Sequence, residues 1–229
     1  GDVTSGITDI MESITSVNIA CGVHAGDMRT MRVVVKLAKQ FHVAIGAHPG
    51  LNDPFGFGRR ELSIEPLEIV ELVKVQLETL GSVAASEGCA LRHVKPHGAL
   101  YNMASRDRKY AEPIVRAVVD TNPRLILFGL SGSELIKAGK AAGLSVASEV
   151  FADRAYEATG LLTPRSVEGS VIETSQQVVD RAITMIRDGE VKARGGERVE
   201  LDVDTVCVHG DTLGAANLVT CVRAGLESA

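Results

Sequence analysis

Tryptophan is absent from this chain, and aromatic residues together make up 3% of it. A core built from such a sequence is aliphatic, and a surface that reads bases or sugars by stacking on rings is disfavoured. No cysteine pair has C-x-x-C spacing. Cys21, Cys89, Cys207 and Cys221 stand far apart, as expected of reduced thiols packed as small hydrophobes in a cytoplasmic protein. No run approaches the roughly 18 apolar residues of a membrane span. The opening Gly1-Asp-Val-Thr-Ser-Gly6 is too polar for a signal peptide. A formal charge of −5 gives no basic footprint for a nucleic-acid backbone. The G-x-x-x-x-G-K-[ST] phosphate loop, the G-x-G-x-x-G turn and the G-x-S-x-G elbow are all missing, so nothing announces nucleotide binding or a serine hydrolase.

What is present is ordinary globular composition, 45% hydrophobic and 23% charged over 229 residues. A chain this long buries about 70% of its unfolded surface without staples. No linker or composition shift divides it, so residues 1–229 read as a single domain. Six short apolar runs have the character of strands buried on both faces: 17–21, 43–47, 91–95, 125–129, 145–150 and 205–208. Between them lie amphipathic segments with legible ends. Asp27 is placed to cap a helix over 28–41. Pro66 opens one that runs to about Ser86 and is closed by Gly88. Ser131-Gly-Ser-Glu134 and Thr174-Ser-Gln-Gln177 have capping-box spacing ahead of two more. Strand and helix alternate throughout, which predicts an α/β fold of βαβ units.

Chemistry collects after the strands. His24 and Asp27 follow the first, His48 the second, and His97 closes His93-Val-Lys95-Pro-His97 after the third. Glu149, Asp153 and Arg154 surround the end of the fifth, and His209-Gly-Asp211 ends the sixth. In (β/α) barrels the active site is built at that face from several strands, whereas open sheets gather ligands more narrowly at a switch point. The wide spread favours a barrel with His24, His48, His97 and His209 around one mouth. Taken singly, each residue also has a plainer reading: Asp27 as a helix cap, Asp153 and Arg154 as an ion pair, any one histidine as core. Pro96 disfavours helix at Lys95, so His93, Lys95 and His97 share one side of an extended run, suited to anion binding and proton transfer as well as to a metal. If a divalent metal is bound, His48 and His97 are its candidate ligands. The glycine-rich stretch 50–60 reads equally as a surface loop and as a lid whose Arg59 and Arg60 close on a carboxylate.

Four longer motifs then stand in order: Asn18-Ile-Ala-Cys-Gly-Val-His-Ala-Gly-Asp27, Gly46-Ala-His-Pro49 with Phe57-Gly-Arg-Arg60, His93-Val-Lys-Pro-His-Gly-Ala-Leu-Tyr-Asn102 and Glu149-Val-Phe-Ala-Asp-Arg154. With Val206-Cys-Val-His-Gly-Asp211 at the end, they closely resemble the LamB/YcsF family along nearly the whole chain. The resemblance implies an irregular seven-stranded (β/α) barrel of the glycoside hydrolase/deacetylase type. It also implies ATP-dependent opening of the 5-oxoproline lactam to glutamate, ATP being cleaved to ADP and phosphate, by the A component of a 5-oxoprolinase working with partner subunits B and C. The family's opening Asp-Leu-Asn-x-Asp-x-Gly-Glu has no counterpart in this sequence, so the first strand is expected to be missing from it.

On that reading Lys95 and His97 face the oxyanion or a phosphate. Asp27 or Asp153 serves as general base, and His48 or His209 as proton donor, with His24 in the same catalytic set. Arg59 or Arg154 clamps the substrate carboxylate, joined by Asn18 and Tyr101 as binding residues. Two other readings of the residues remain. A metal-dependent amidohydrolase or carbohydrate deacetylase would use the imidazoles as ligands and need no ATP. A non-catalytic small-carboxylate binding subunit would need the arginines more than the proton carriers.

Overall fold

The computed structural model describes residues 3–172, 174–210 and 214–228. In chain order its elements are α1 (Val3–Met11), β1 (Ser16–Ala20), α2 (Met28–Gln40), β2 (Ala44–His48), α3 (Pro66–Ser86), β3 (His93–Val94), α4 (Gly98–Arg106), α5 (Arg108–Thr121), β4 (Ile126–Leu130), α6 (Glu134–Ala141), β5 (Val146–Phe151), α7 (Ser175–Asp188), β6 (Glu190–Lys192), β7 (Arg198–Glu200), β8 (Thr205–Cys207) and α8 (Ala215–Ser228). The fold is α/β, and all six runs read as strands are strands. They belong to two compact units, one of Thr15–Gly129 with Ser133–Val146, the other of Gly1–Ile14, Leu130–Gly132 and Ala147–Ala229.

In the larger unit β1, β2, β3 and β4 pair in parallel in sequence order, with Asn18 opposite Gly46, Gly46 opposite His93 and His93 opposite Ile126. Ala47, Val94 and Leu127 are fully buried, as continuous apolar strands between helical layers require. Helix α3 lies against α5, which also packs on α4 and α6. The ladder at β3 is short, yet the chain keeps alongside β2 well beyond it. Arg92 N–H donates to Ile45 O, Lys95 N–H to Ala47 O and His97 N–H to Pro49 O, at 2.8, 2.9 and 2.8 Å. That extension carries two polar side chains, Lys95 and His97, past the strand end.

The helix signals were of unequal quality. Asp27 caps α2, its carboxylate accepting from Thr30 N–H at 2.6 Å. Gly88, at φ +69°, closes α3 as expected. The box at Ser131 shifts by two residues: Ser133 Oγ accepts from Ile136 N–H and caps α6, while Ser131 Oγ accepts from Asp202 N–H at 2.8 Å. Thr174 stands at the N-cap of α7 without a side-chain cap bond. In the smaller unit β5 pairs in parallel with β8, α7 packs on α8, α8 on α1, and β6 and β7 form an antiparallel hairpin. Among the described residues no helix is long and apolar enough to cross a membrane.

Candidate active site

Three imidazoles meet where β1, β2 and the extended run after β3 end. His24 follows β1 in a turn that contains Gly22 and Gly26, both at positive φ. His48 is the last residue of β2, and His97 is the N-cap residue of α4. The rings of His24 and His97 stack at 4.0 Å between centroids and 5° between planes. His48 stands edge-on to His97 at 4.8 Å. A chain of short contacts runs through the last two: His48 Nδ1 to Lys95 O at 2.6 Å, His48 Nε2 to His97 Nδ1 at 3.0 Å, and His97 Nε2 to Phe57 O at 2.7 Å.

Backbone without side chains makes room for these rings. A Cβ on Gly50 would stand 2.5 Å from His24 Nδ1, and one on Gly58 would stand 3.0 Å from both His24 Cβ and His97 Cδ2. Gly50 is held from behind by the buried Gln76 of α3, whose amide accepts from Gly50 N–H and donates to Gly50 O, each at 2.9 Å. The sequence reading missed Gln76, although a lone polar residue on the apolar Val73–Leu77–Leu80 face of α3 was a usable signal.

The loop from Asp53 to Arg60 is folded on itself rather than open. Asp53, almost fully buried, accepts from Gly56 N–H and from Arg60 Nε at 3.0 Å, and pairs with Arg60 Nη2. The Arg60 bond and the neighbouring amides hold the Asp53 carboxyl down at about 2. Gly58 O accepts from Ala99 N–H at 2.9 Å and fastens the loop to the start of α4. Arg60, one of the two lid arginines, is therefore an internal lock. The Arg59 guanidinium lies over the Phe57 ring at 5.0 Å. Asp53 was also missed, because an Asp before Pro54 in a glycine-rich run reads as a turn.

Beside this cluster, His93 Nε2 meets Asn18 Oδ1 at 2.9 Å, and the His93 ring stacks on Phe128. Lys95 Nζ lies 5.6 Å from the Tyr101 ring centroid, and both side chains are buried. Burial sets the electrostatics here. It drives His24 down to about 3, helped by the neighbouring His97, and His93 down to about 4, helped by Lys95. His48 is held well below its ordinary value by burial and then by His97 and Lys95. Burial also pushes the Cys21 thiol up to about 12, which makes it an inert packing group.

The smaller unit holds a second constellation. His209 Nδ1 lies 2.6 Å from Asp153 Oδ2, with the carboxylate buried and the imidazole partly open. Asp153 Oδ1 is buried and has no hydrogen-bond partner among the described residues. Arg154 Nε and Nη2 donate to Ser170 O and Thr163 O at 3.1 and 2.5 Å. Asp211 lies outside the described residues. Of the sequence candidates, then, His24, His48, Lys95 and His97 come together with Phe57. Asn18 is joined to His93, Tyr101 to Lys95, and His209 to Asp153. Asp27 is exposed, with its carboxylate on the α2 cap. Among the described residues no group of three or more His, Cys, Asp or Glu is arranged to hold a metal ion. Two imidazoles whose nitrogens face each other and two carbonyls fit a proton chain better than a metal centre.

Residues 5–229 match the model of the LamB/YcsF family. The 5-oxoprolinase A subunit of Geobacillus kaustophilus (strain HTA426) is 53% identical over 223 residues, covering 97% of this chain and 87% of that protein. That of Bacillus subtilis (strain 168) is 49% identical over 221 residues, covering 96% and 86%. A lactam utilization protein from Thermus thermophilus, known from its crystal structure, superposes with a TM-score of 0.90 at 40% identity, covering 97% of this chain and 89% of that one. This chain belongs to the LamB/YcsF family.

Proposed function

We propose that this chain is the A component of an ATP-dependent 5-oxoprolinase, opening the lactam of 5-oxo-L-proline to L-glutamate together with partner subunits B and C. The near-full-length likeness to proteins of that name carries the reading, and the chemistry of the side chains supports it. A five-membered lactam is a resonance-stabilised amide. Phosphorylation of its oxygen by ATP leaves a better electrophile for water, and cleavage of the C–N bond then requires a proton at nitrogen.

In this assignment Asp153 accepts Nδ1–H of His209, fixing the tautomer and leaving Nε2 as the base that takes a proton from water. The orphaned Asp153 Oδ1 is ready to accept from a substrate or water donor. The larger unit, taken by itself, offers Lys95 and the His48–His97 pair as positive charge for an oxyanion or phosphate. Because two Arg154 donors already serve backbone carbonyls, Arg59 is the stronger choice for the substrate carboxylate. Asn18 and Tyr101 buttress His93 and Lys95 rather than meeting the substrate first, and Asp27 is left as a helix cap. The decisive experiment follows glutamate and phosphate release from 5-oxoproline plus ATP, with this chain alone and with its partner subunits. Coupled release that requires this chain supports the proposal. Lactam or acetyl hydrolysis by this chain without ATP, abolished by a chelator, replaces it with a metal-dependent amidohydrolase.

A further inference from the structure

We infer that His97 is held as an imidazolium against a neutral His48, the two rings sharing three protons over four nitrogens, so that the pair is a built-in cation and neither a base nor a metal ligand. A carbonyl oxygen only accepts. His48 Nδ1, at 2.6 Å from Lys95 O, and His97 Nε2, at 2.7 Å from Phe57 O, must therefore both carry hydrogen. Two neutral imidazoles have one N–H each, and both would be used at the carbonyls. His48 Nε2 and His97 Nδ1 would then meet lone pair to lone pair at 3.0 Å, an ordinary hydrogen-bond distance. A third proton between them closes the chain, and the pair carries one positive charge.

The surroundings decide which ring holds it. Burial does not choose between them, since His97 is buried too, but His48 also stands beside the Lys95 charge, which opposes a second one there. His97 has the face of the His24 ring 4.0 Å away and the Phe57 ring edge-on at 5.1 Å. A cation over a neutral π face is favourable, and burial keeps His24 neutral. Among the described residues, the other titratable or charged groups of the packed elements include the protonated Cys21 thiol after β1, His93 in β3, Lys95 after it, Tyr101 of α4, and Arg59 with the Asp53–Arg60 pair in the loop. With every ring nitrogen of the pair engaged, no lone pair is left to abstract a proton or coordinate a metal. Its use in catalysis rests on the lactam reaction proposed above; its charge does not.

The test counts ring protons on the full-length chain carrying 15N-labelled histidine, by long-range 1H–15N correlation at pH 7, with assignments from the single histidine variants. Three protonated nitrogens and one lone-pair nitrogen, at His48 Nε2, are expected. A lone-pair signal at His97 Nδ1 would overturn the inference, as would a shift of these two nitrogens on adding zinc. His48→Phe removes the acceptor and should turn His97 neutral, whereas His48→Gln, whose amide oxygen can accept, should keep it charged. A His97 signal unchanged by His48→Phe counts against the pair. Since no turnover is measured, failure of the 5-oxoproline assay would leave the proton count standing.

Discussion

Gly46 offers the sharpest test of how this site is packed. It lies in the middle of β2, opposite Asn18 on one side and His93 on the other. A Cβ added there would stand 1.9 Å from His93 Nε2 and within 2.3 Å of two more ring atoms. Nothing at that separation survives, so the buried imidazole must swing away and release Asn18. Overpacking a core costs about 1–3 kcal/mol, and leaving a buried donor or acceptor unmet costs about 1–3 more. The lower chain entropy of alanine returns about 0.4–1. Gly46→Ala should therefore lose about 3 kcal/mol, or roughly 6–12 °C in Tm for a chain of this size. Urea unfolding followed by circular dichroism measures it, with Gly132→Ala as the control. Gly132 sits at φ +72° with nothing within 4 Å of its Cβ, so backbone strain alone, about 1 kcal/mol, is expected there. In a His93→Ala background the methyl group enters vacated space, and Gly46→Ala should cost under about 0.5 kcal/mol. Equal losses in both backgrounds would refute the clash with His93 as the cause.

Three further outcomes are expected. Asp153→Asn should slow coupled glutamate release by about 10²–10⁴-fold, as loss of an oriented acid–base group does. His209→Ala should do the same, and the double variant should be little worse than either, because the two act as one unit; additive losses would separate them. For Asp53, whose folded value of about 2 lies below the usual carboxylate value near about 4, the contribution is fully present above about pH 4. It is lost as the pH falls through 2. Hydrogen exchange at the Gly56 and Arg60 amides should accelerate over that interval, and Asp53→Asn should show the fast exchange already at neutral pH. For His24 and His93, folded values near 3 and 4 lie below the unfolded value near about 6.5. The unfolded chain then binds more protons, so their contribution is present above about pH 6.5 and is lost as the pH falls toward 3. Each costs up to about 1.4 kcal/mol per pH unit in that window. Urea midpoints at pH 7 and pH 5 measure this, and His93→Gln should flatten the slope.

What could be read from the sequence followed from how strongly each segment's own chemistry dictated its structure. The runs that became β1, β2 and β4 are apolar or nearly so, and their shortness between turn residues marks them as buried strands. The hairpin of β6 and β7 has three residues per strand, too short for any periodicity to show. In α5 the internal Pro113 breaks the helical pattern that the tertiary contacts restore. Capping was legible where the side chain had no competing partner, as at Asp27. It was misplaced at Ser131 because Asp202, seventy-one positions on, takes that hydroxyl. The site followed the same rule. Strand-end histidines were visible as types at positions, and Gln76 as a polar residue on an apolar helix face, but Asp53 acts through a turn that its neighbours disguise and the Phe57 carbonyl is backbone, which leaves no mark on residue identity.

The same side chain therefore takes opposite roles according to what its second nitrogen meets. A carboxylate behind His209 Nδ1 accepts the proton there, so Nε2 is left with its lone pair as a base. Behind His97 there is instead a carbonyl on one nitrogen and another imidazole on the other, and both ask for hydrogen. A carbonyl cannot neutralise a charge as Asp153 can, so the His97 ring is pressed into service as a cation whatever its sequence context implies. One residue type can thus fill two roles near neutral pH, because the partner, not the imidazole, carries the assignment. It also explains why Gly50 and Gly58 matter beyond their own conformations. Without their missing side chains the Phe57 carbonyl and the His24 face could not approach His97, and the ring would lose both the acceptor that demands its proton and the π face that tolerates it.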